Sequence, residues 1–350
     1  VTGVAGTLDL EAQTGSITLS STSNVTSGSG DMRLVGLLDI SLGNVISTTG
    51  MVSIIASTRD ILDGDSALDV QSGGLLLKAS SGIGSGNDHV ETQVGTLSAN
   101  AGADGLFITE SDGVTVDKVM VSVYRVGADG TSPEVVDVVI IQEDLKATGV
   151  GHVVLDVTTG DVVLNAGSAT TNALTAVSGN TRLTVQGGSL TVNAKVDGGS
   201  GNITLQSSGN QSYGVDGDVV TTGGTLDVQA GGAATMADGA TMTANAGNIR
   251  LAVTNGLQLG ALSTSGDISI SAATITDAGS STTDKVNISA DEVRLITTSS
   301  ASGAGVGSGT NHIELSANKL AADVNGIGTG GFFITESNGI QVGTLSAINV

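Results

Sequence analysis

The sequence repeats itself over a long interval, which restricts the fold more tightly than its length does. Gly82-Ile83-Gly84-Ser85-Gly86-Asn87-Asp88-His89-Val90-Glu91 returns as Gly305-Val306-Gly307-Ser308-Gly309-Thr310-Asn311-His312-Ile313-Glu314, an offset of 223 residues. Phe107-Ile108-Thr109-Glu110-Ser111-Asp112-Gly113 returns as Phe333-Ile334-Thr335-Glu336-Ser337-Asn338-Gly339, an offset of 226. Earlier landmarks keep nearly the same spacing: Gly6-Thr7-Leu8-Asp9 matches Gly224-Thr225-Leu226-Asp227, and Asp31-Met32-Arg33-Leu34 matches Asn248-Ile249-Arg250-Leu251. Residues 1–116 therefore read as the C-terminal part of one long repeat unit, 117–342 as one complete unit, and 343–350 as the start of the next. A chain that starts and stops inside its own period is expected to be a segment of a longer tandem array.

A shorter pattern runs inside the long one: glycine, a small or polar residue, an aliphatic, a polar residue, an aliphatic. It appears as Gly15-Ser16-Ile17-Thr18-Leu19, Gly30-Asp31-Met32-Arg33-Leu34, Gly201-Asn202-Ile203-Thr204-Leu205, Gly224-Thr225-Leu226-Asp227-Val228 and Gly247-Asn248-Ile249-Arg250-Leu251. A period of two sends the aliphatic pair to one face of a strand and the polar residues to the other. Strands this short cannot bury a face as isolated hairpins. Coiling the chain so that each turn stacks on the last gives every strand two hydrogen-bonded neighbours and a shared apolar interior. The sequence thus predicts an all-β fold, a right-handed parallel β-helix or β-solenoid. Coils of ~20 residues stacked at ~4.8 Å would make a rod roughly 80 Å long. A two-sheet sandwich is the rival, but its turns would carry more proline and aromatic residues.

Composition supports the narrow interior. There is no Trp, two Tyr and three Phe against 53 Gly, so large rings cannot build the core. Mean hydropathy is positive (+0.27), which excludes the disordered class. No apolar run approaches the ~20 residues of a membrane helix. The net charge of −22 argues against nucleic acid and against charge-driven binding to anionic lipid, and makes divalent cations plausible partners. Cysteine is absent, so no disulfide is needed and the count names no compartment.

One stretch departs from the coil pattern. Val119–Val126 and Val135–Ile141 are both strand-like, and they flank a turn-rich segment with Pro133, the single proline. The region 119–141 reads as a hairpin or a widened coil. The plainer interpretation is a long turn that marks the start of a unit. The sharper one is a projecting element that meets a neighbouring rod or a ligand, for which Tyr124 and Arg125 are the candidate contact residues.

Candidate chemistry is sparse. His89 and His312 are repeat equivalents beside Asp88 and Asn311, which suits a corner hydrogen bond better than catalysis, and His152 has no acid or nucleophile pattern near it. No His/Cys cluster has metal-ligand spacing, and phosphate loops and nucleophile elbows are missing. No catalytic residue and no cofactor site is assigned, and an enzyme is not expected. The densest acidic stretch, with Asp60, Asp63 and Asp65 around Gly64, is the one candidate for Ca²⁺, since oxygen ligands around a glycine turn suit that ion. The plainer reading is a solvated loop, because the matching stretch Thr274–Gly279 keeps only Asp277. Glu110 and Glu336 are the best-matched acids of the two copies. They are candidates for a contact once per unit, or for capping their own turns.

Coils of this kind, rich in Gly, Ser, Thr, Asn and Ala and poor in Cys and aromatics, resemble the repeat regions of filamentous-haemagglutinin-like giant bacterial adhesins. That resemblance implies a right-handed β-helical shaft in a very large surface or secreted protein, and it carries over no functional residue. The Asn-Pro-Asn-Gly signatures of that family's secretion domain are not in this sequence. The expected function is a structural shaft serving adhesion or cell–cell contact outside the cell, with a cell surface, surface glycans or neighbouring copies as partners. Membrane insertion of this segment is not expected. The alternatives are a self-assembling filament or sheath subunit, and a carbohydrate-active β-helix enzyme.

Overall fold

The computed structural model describes residues 1–3, 6–126, 129–131, 138–280, 285–326 and 330–350. The chain is an all-β parallel β-solenoid of about 14 turns, with rungs about 23 residues apart. It divides into two compact units, Val1–Asn180 and Thr181–Val350.

The second unit displays the coil most simply. Three strands, Thr181–Val185, Leu190–Val192 and Lys195–Asp197, make one turn. The next three, Ile203–Ser207, Gln211–Tyr213 and Val219–Thr221, each pair in parallel with their counterpart one turn before. The first side then continues through Leu226–Ala230, Ile249–Val253, Ile268–Ala272 and Ile288–Thr297. The alternating pattern now has a direct meaning. Leu183, Leu205, Val228, Leu251, Ile270 and Leu295 stack in register and are all buried, while Arg182, Thr204, Asp227, Arg250, Ser269 and Arg294 stack on the outside.

The first unit builds the same interior. Leu10, Leu34, Ile54, Leu77, Ala99, Leu145 and Leu174 form one continuous inward ladder. Small and aliphatic side chains fill a space only one coil wide, which is why large rings are dispensable.

The rung is longer than the ~20 residues expected from the glycine spacings, and the reason is specific. Gly15 and Gly30 open strands on different sides of one coil: Ile17 pairs with Ile40, whereas Met32 pairs with Leu8 and Val52. Some of the glycine spacings therefore run between sides of one coil and others between coils. The stacked glycines themselves are required by close approach. A Cβ on Gly224 would run into the Gly201 carbonyl, and one on Gly247 into the Gly224 carbonyl. A hydroxyl fixes the same corner: the Gly224 amide donates to Thr221 Oγ1 at 3.0 Å, and Thr221 Oγ1 donates to the Gly201 carbonyl at 2.6 Å. Ser47 does the same between Gly50 and Gly30.

The irregular stretch is a hairpin, not a widened coil. Val119–Val123 pairs antiparallel with Val138–Gln142. Pro133, with the rest of 132–137, and Gly127 and Ala128 lie outside the described residues. The hairpin's two strands fold back over the outer face of their own unit. Val119, Val121 and Val123 are buried against Leu76, with Met51 and Ile55 alongside. Leu76 lies between Leu75 and Leu77, which point inward, so it points outward and is fully buried only because the hairpin lies on it. Polar ties reinforce this contact. The Ser122 amide donates to Asp31 Oδ2 at 2.8 Å, and Gln142 Nε2 donates to the Leu77 carbonyl at 2.8 Å.

Candidate functional site

The coil corner after Ile61–Leu62 carries Asp63 and Asp65, and the coil brings Asp69 and Glu91 up to it. Asp69 ends the corner and Glu91 lies one rung on, so the Asp69 amide donates to the Glu91 carbonyl at 3.0 Å and the Glu91 amide donates to Asp69 Oδ2 at 3.1 Å. The result is a cluster in which one carboxylate oxygen from each of Asp63, Asp69 and Glu91 lies within 4.8 Å of the others. Asp63 Oδ1 is occupied by its own turn, accepting from the Gly64 amide at 2.6 Å and the Asp65 amide at 3.1 Å. Its other oxygen, Oδ2, is buried without a hydrogen-bond partner, as is Glu91 Oε2.

The electrostatics follow from that crowding. Asp69, only 3% exposed, has its carboxyl pushed up to about 8 by burial and by the Asp63 charge. Glu91 is pushed up to about 7 by burial, with the Asp63, Asp88 and Asp65 charges adding to it. Asp63 is also raised, chiefly by burial, with the exposed Asp88 beside it. Four like charges around a half-buried corner cannot all ionise freely; they take up protons or a cation.

The sequence had grouped Asp60 with Asp63 and Asp65, and the structure separates it. Asp60 sits on the preceding strand edge, where Oδ1 accepts from the Gly82 amide at 2.7 Å and Asp39 and Asp104 lie near. Asp65 caps its own turn through the Ala67 amide at 2.6 Å. Asp63 alone of the three reaches the cluster. Asp69 and Glu91 were missed because they lie six and 28 residues from Asp63 in sequence. The signal that places Glu91 beside Asp69 is the rung length of about 23 residues, which sets it one rung on.

Glu110 turns inward. It is fully buried, with Oε2 accepting from Thr92 Oγ1 at 2.7 Å and Oε1 from the Ser111 amide at 3.0 Å, so it ties down its own turn and does not face a partner. Burial pushes its carboxyl up to about 7. Glu336 holds the equivalent turn through the Asn338 amide at 3.1 Å, but its Oε2 is buried without a partner. Leu315 stands where the first copy has Thr92, which accounts for the missing donor.

Tyr124 and Arg125 lie at the far end of the hairpin arm. The Tyr124 amide donates to Thr7 Oγ1 at 2.9 Å. Arg125 reaches Asp9 at 2.6 Å and Glu11 at 2.7 Å, the two acids that Arg33 also holds at 2.6 and 2.9 Å. The guanidinium therefore clasps the hairpin to its own coil. The histidines are corner residues: His89 Nδ1 lies 2.9 Å from Thr109 Oγ1 and His312 Nδ1 lies 2.8 Å from Thr335 Oγ1, each beside a phenylalanine ring. The backbone amide of Asn180 donates to His152 Nδ1 at 2.9 Å.

Comparison of the chain with protein-family models, with curated proteins and with solved structures gave no match.

Proposed function

We propose that the chain is a non-enzymatic structural shaft, part of a large extracellular bacterial surface protein, that serves adhesion or cell–cell contact by holding surfaces at a distance. The observation that carries this reading is the in-register aliphatic ladder within each unit. It spends the chain's sequence on stacking one coil after another, which is what a load-bearing element requires. The low aromatic content and strong negative charge fit an exposed, soluble element, and the resemblance to filamentous-haemagglutinin-like repeats points the same way. Surface glycans or a facing cell are the partners this reading implies.

Electron microscopy of the protein from its native source tests it. Elongated particles with a ~4.8 Å stacking repeat support the shaft. Compact globular particles overturn it and reopen the carbohydrate-active alternative, beginning with a polysaccharide screen.

A second reading, a self-assembling filament or sheath subunit, is favoured by one observation. The hairpin's outer side presents Met120, Val139 and Ile141, each more than half exposed. Met120 stands opposite Ile141 in the antiparallel pair, and Ser122 opposite Val139, so they line one side. Sedimentation across a concentration series, with Met120→Lys/Ile141→Lys as the comparison, separates lateral association from a single shaft.

A further inference from the structure

The acidic corner occurs twice, and the two versions differ as a designed substitution would. In the first unit the residues are Asp63, Asp69, Asp88 and Glu91; in the second, Asp277, Asn287, Asn311 and Glu314 hold the corresponding places. The second corner is four residues longer between Asp277 and Asn287, but the backbone ties to the next rung are the same. The Asn287 amide donates to the Glu314 carbonyl at 2.9 Å, and the Glu314 amide donates to Asn287 Oδ1 at 2.9 Å, as Asp69 and Glu91 do. The side chains are not the same. Asn287 Nδ2 donates to Asp277 Oδ1 at 2.6 Å and to the Gly260 carbonyl at 3.0 Å, so the second corner carries its own donor between the acids. Asn311 Nδ2 likewise donates to the Gly279 carbonyl at 3.0 Å.

In the first corner the same positions hold carboxylates, which have nothing to donate. Asp69 is only 3% exposed there, and in the same cluster Asp63 Oδ2 and Glu91 Oε2 are buried without partners. The charges acting on Asp69 and Glu91 come from other acids, Asp63, Asp65, Asp88 and Glu91 itself. The second corner still leaves Asp277 Oδ2 buried without a partner, but the first has no side-chain amide among its acids, so protons or a cation must offset their charge.

We infer that Asp63, Asp69 and Glu91, with the exposed Asp88 at the open side, form a Ca²⁺ site that locks two successive rungs of the first unit together. The ligand chemistry is all hard oxygen. Two oxygens that share a Ca²⁺ at ~2.4 Å lie at most ~4.8 Å apart, which is the span these three carboxylates occupy. Water on the Asp88 side completes a coordination shell of six to eight. The ion takes over the role of the Asn287 amide group and adds a bridge from the corner to the rung beyond.

The test is equilibrium dialysis of the full chain against labelled Ca²⁺ after chelator treatment, at ~0.1 M KCl so that diffuse attraction to the acidic surface is screened. Circular dichroism confirms that each variant is folded. The wild-type chain is expected to hold one Ca²⁺ with a dissociation constant below ~1 mM. Asp69→Asn, which installs the second unit's own residue, should lose that ion while remaining folded, and Asp63→Asn should do the same. Asp60→Asn, outside the cluster, should keep it. A wild-type chain that takes up no Ca²⁺, or an Asp69→Asn chain that binds as much as wild type, overturns the assignment.

Discussion

The outward sides of the two units lie over inward ladders of the same kind and carry different residues. On the first unit the outward-facing residues include Met51, Ile55 and Leu76, and the hairpin arm with Val119, Val121 and Val123 lies across them. On the second unit the corresponding positions are Asp267, Ser271 and Arg294. There Asn248 Nδ2 donates to the Asn349 carbonyl at 2.8 Å, at the place where Asp31 accepts from the Ser122 amide in the first unit. The contrast separates two jobs of the sequence. The inward aliphatics decide that a coil forms. The outward residues decide what kind of cover that coil can receive. Leu76 against Arg294 is the sharpest case, since a buried leucine calls for a lid and an arginine repels one.

The largest expected effect attacks what the two units share. Ile249→Asp places an unpaired charge in the interior ladder and should cost roughly 4 kcal/mol or more, read as loss of the second unit's cooperative melting transition. Next comes the residue that sets them apart. Leu76→Arg should cost about 2–4 kcal/mol and free the hairpin, seen as fast amide exchange at Val119–Val123. The reverse change, Arg294→Leu, should leave stability within ~0.5 kcal/mol, because Arg294 makes no side-chain hydrogen bond or ion pair among the described residues.

The acidic corner gives a smaller, pH-dependent difference. Asp69, Glu91 and Asp63 have raised carboxyls in the fold, so the folded chain binds protons more tightly than the unfolded one. Their contribution is full below the ordinary carboxylate range and is lost as pH rises through about 7 for Glu91 and about 8 for Asp69. In chelator, thermal stability should therefore fall between roughly pH 4.5 and 8, and Asp69→Asn should flatten that slope. Melting curves across the range check it. Among the losses of a formed contact the smallest is Arg125→Ala, which unclasps the hairpin end from Asp9 and Glu11. It should cost under about 1 kcal/mol, since Arg125 is 41% exposed and Arg33 still neutralises both acids; the loss should shrink in high salt.

Much of this was legible in the residues. Ile249-Arg250-Leu251 and its relatives state the strand, the face and the stacking outright, because a two-residue period is a local signal. What crosses from one rung to the next was not legible. Nothing near Asp63 names Glu91 as its neighbour, and Asp60 looked equivalent to Asp63 until the coil turned it away. The hairpin's two arms could be read, but its landing place could not. One local sign was available: Leu75-Leu76-Leu77 breaks the alternation, and an outward leucine needs a cover. Glu110 was readable as a cap of its own turn, and it is one; what could not be read was its full burial beneath Thr92.

Amide hydrogen exchange on the full chain, wild type beside Leu76→Arg, tests the central claim most directly. Protection should recur with the rungs, about every 23 residues along the strands of both units. In wild type, Val119–Val123 should be protected with them. In Leu76→Arg that segment should exchange at least ~100-fold faster while the inward ladders stay unchanged, given an opening cost lowered by about 3 kcal/mol. Equal protection of the hairpin in both proteins would contradict the account. So would protection without the rung period, which would remove the solenoid itself.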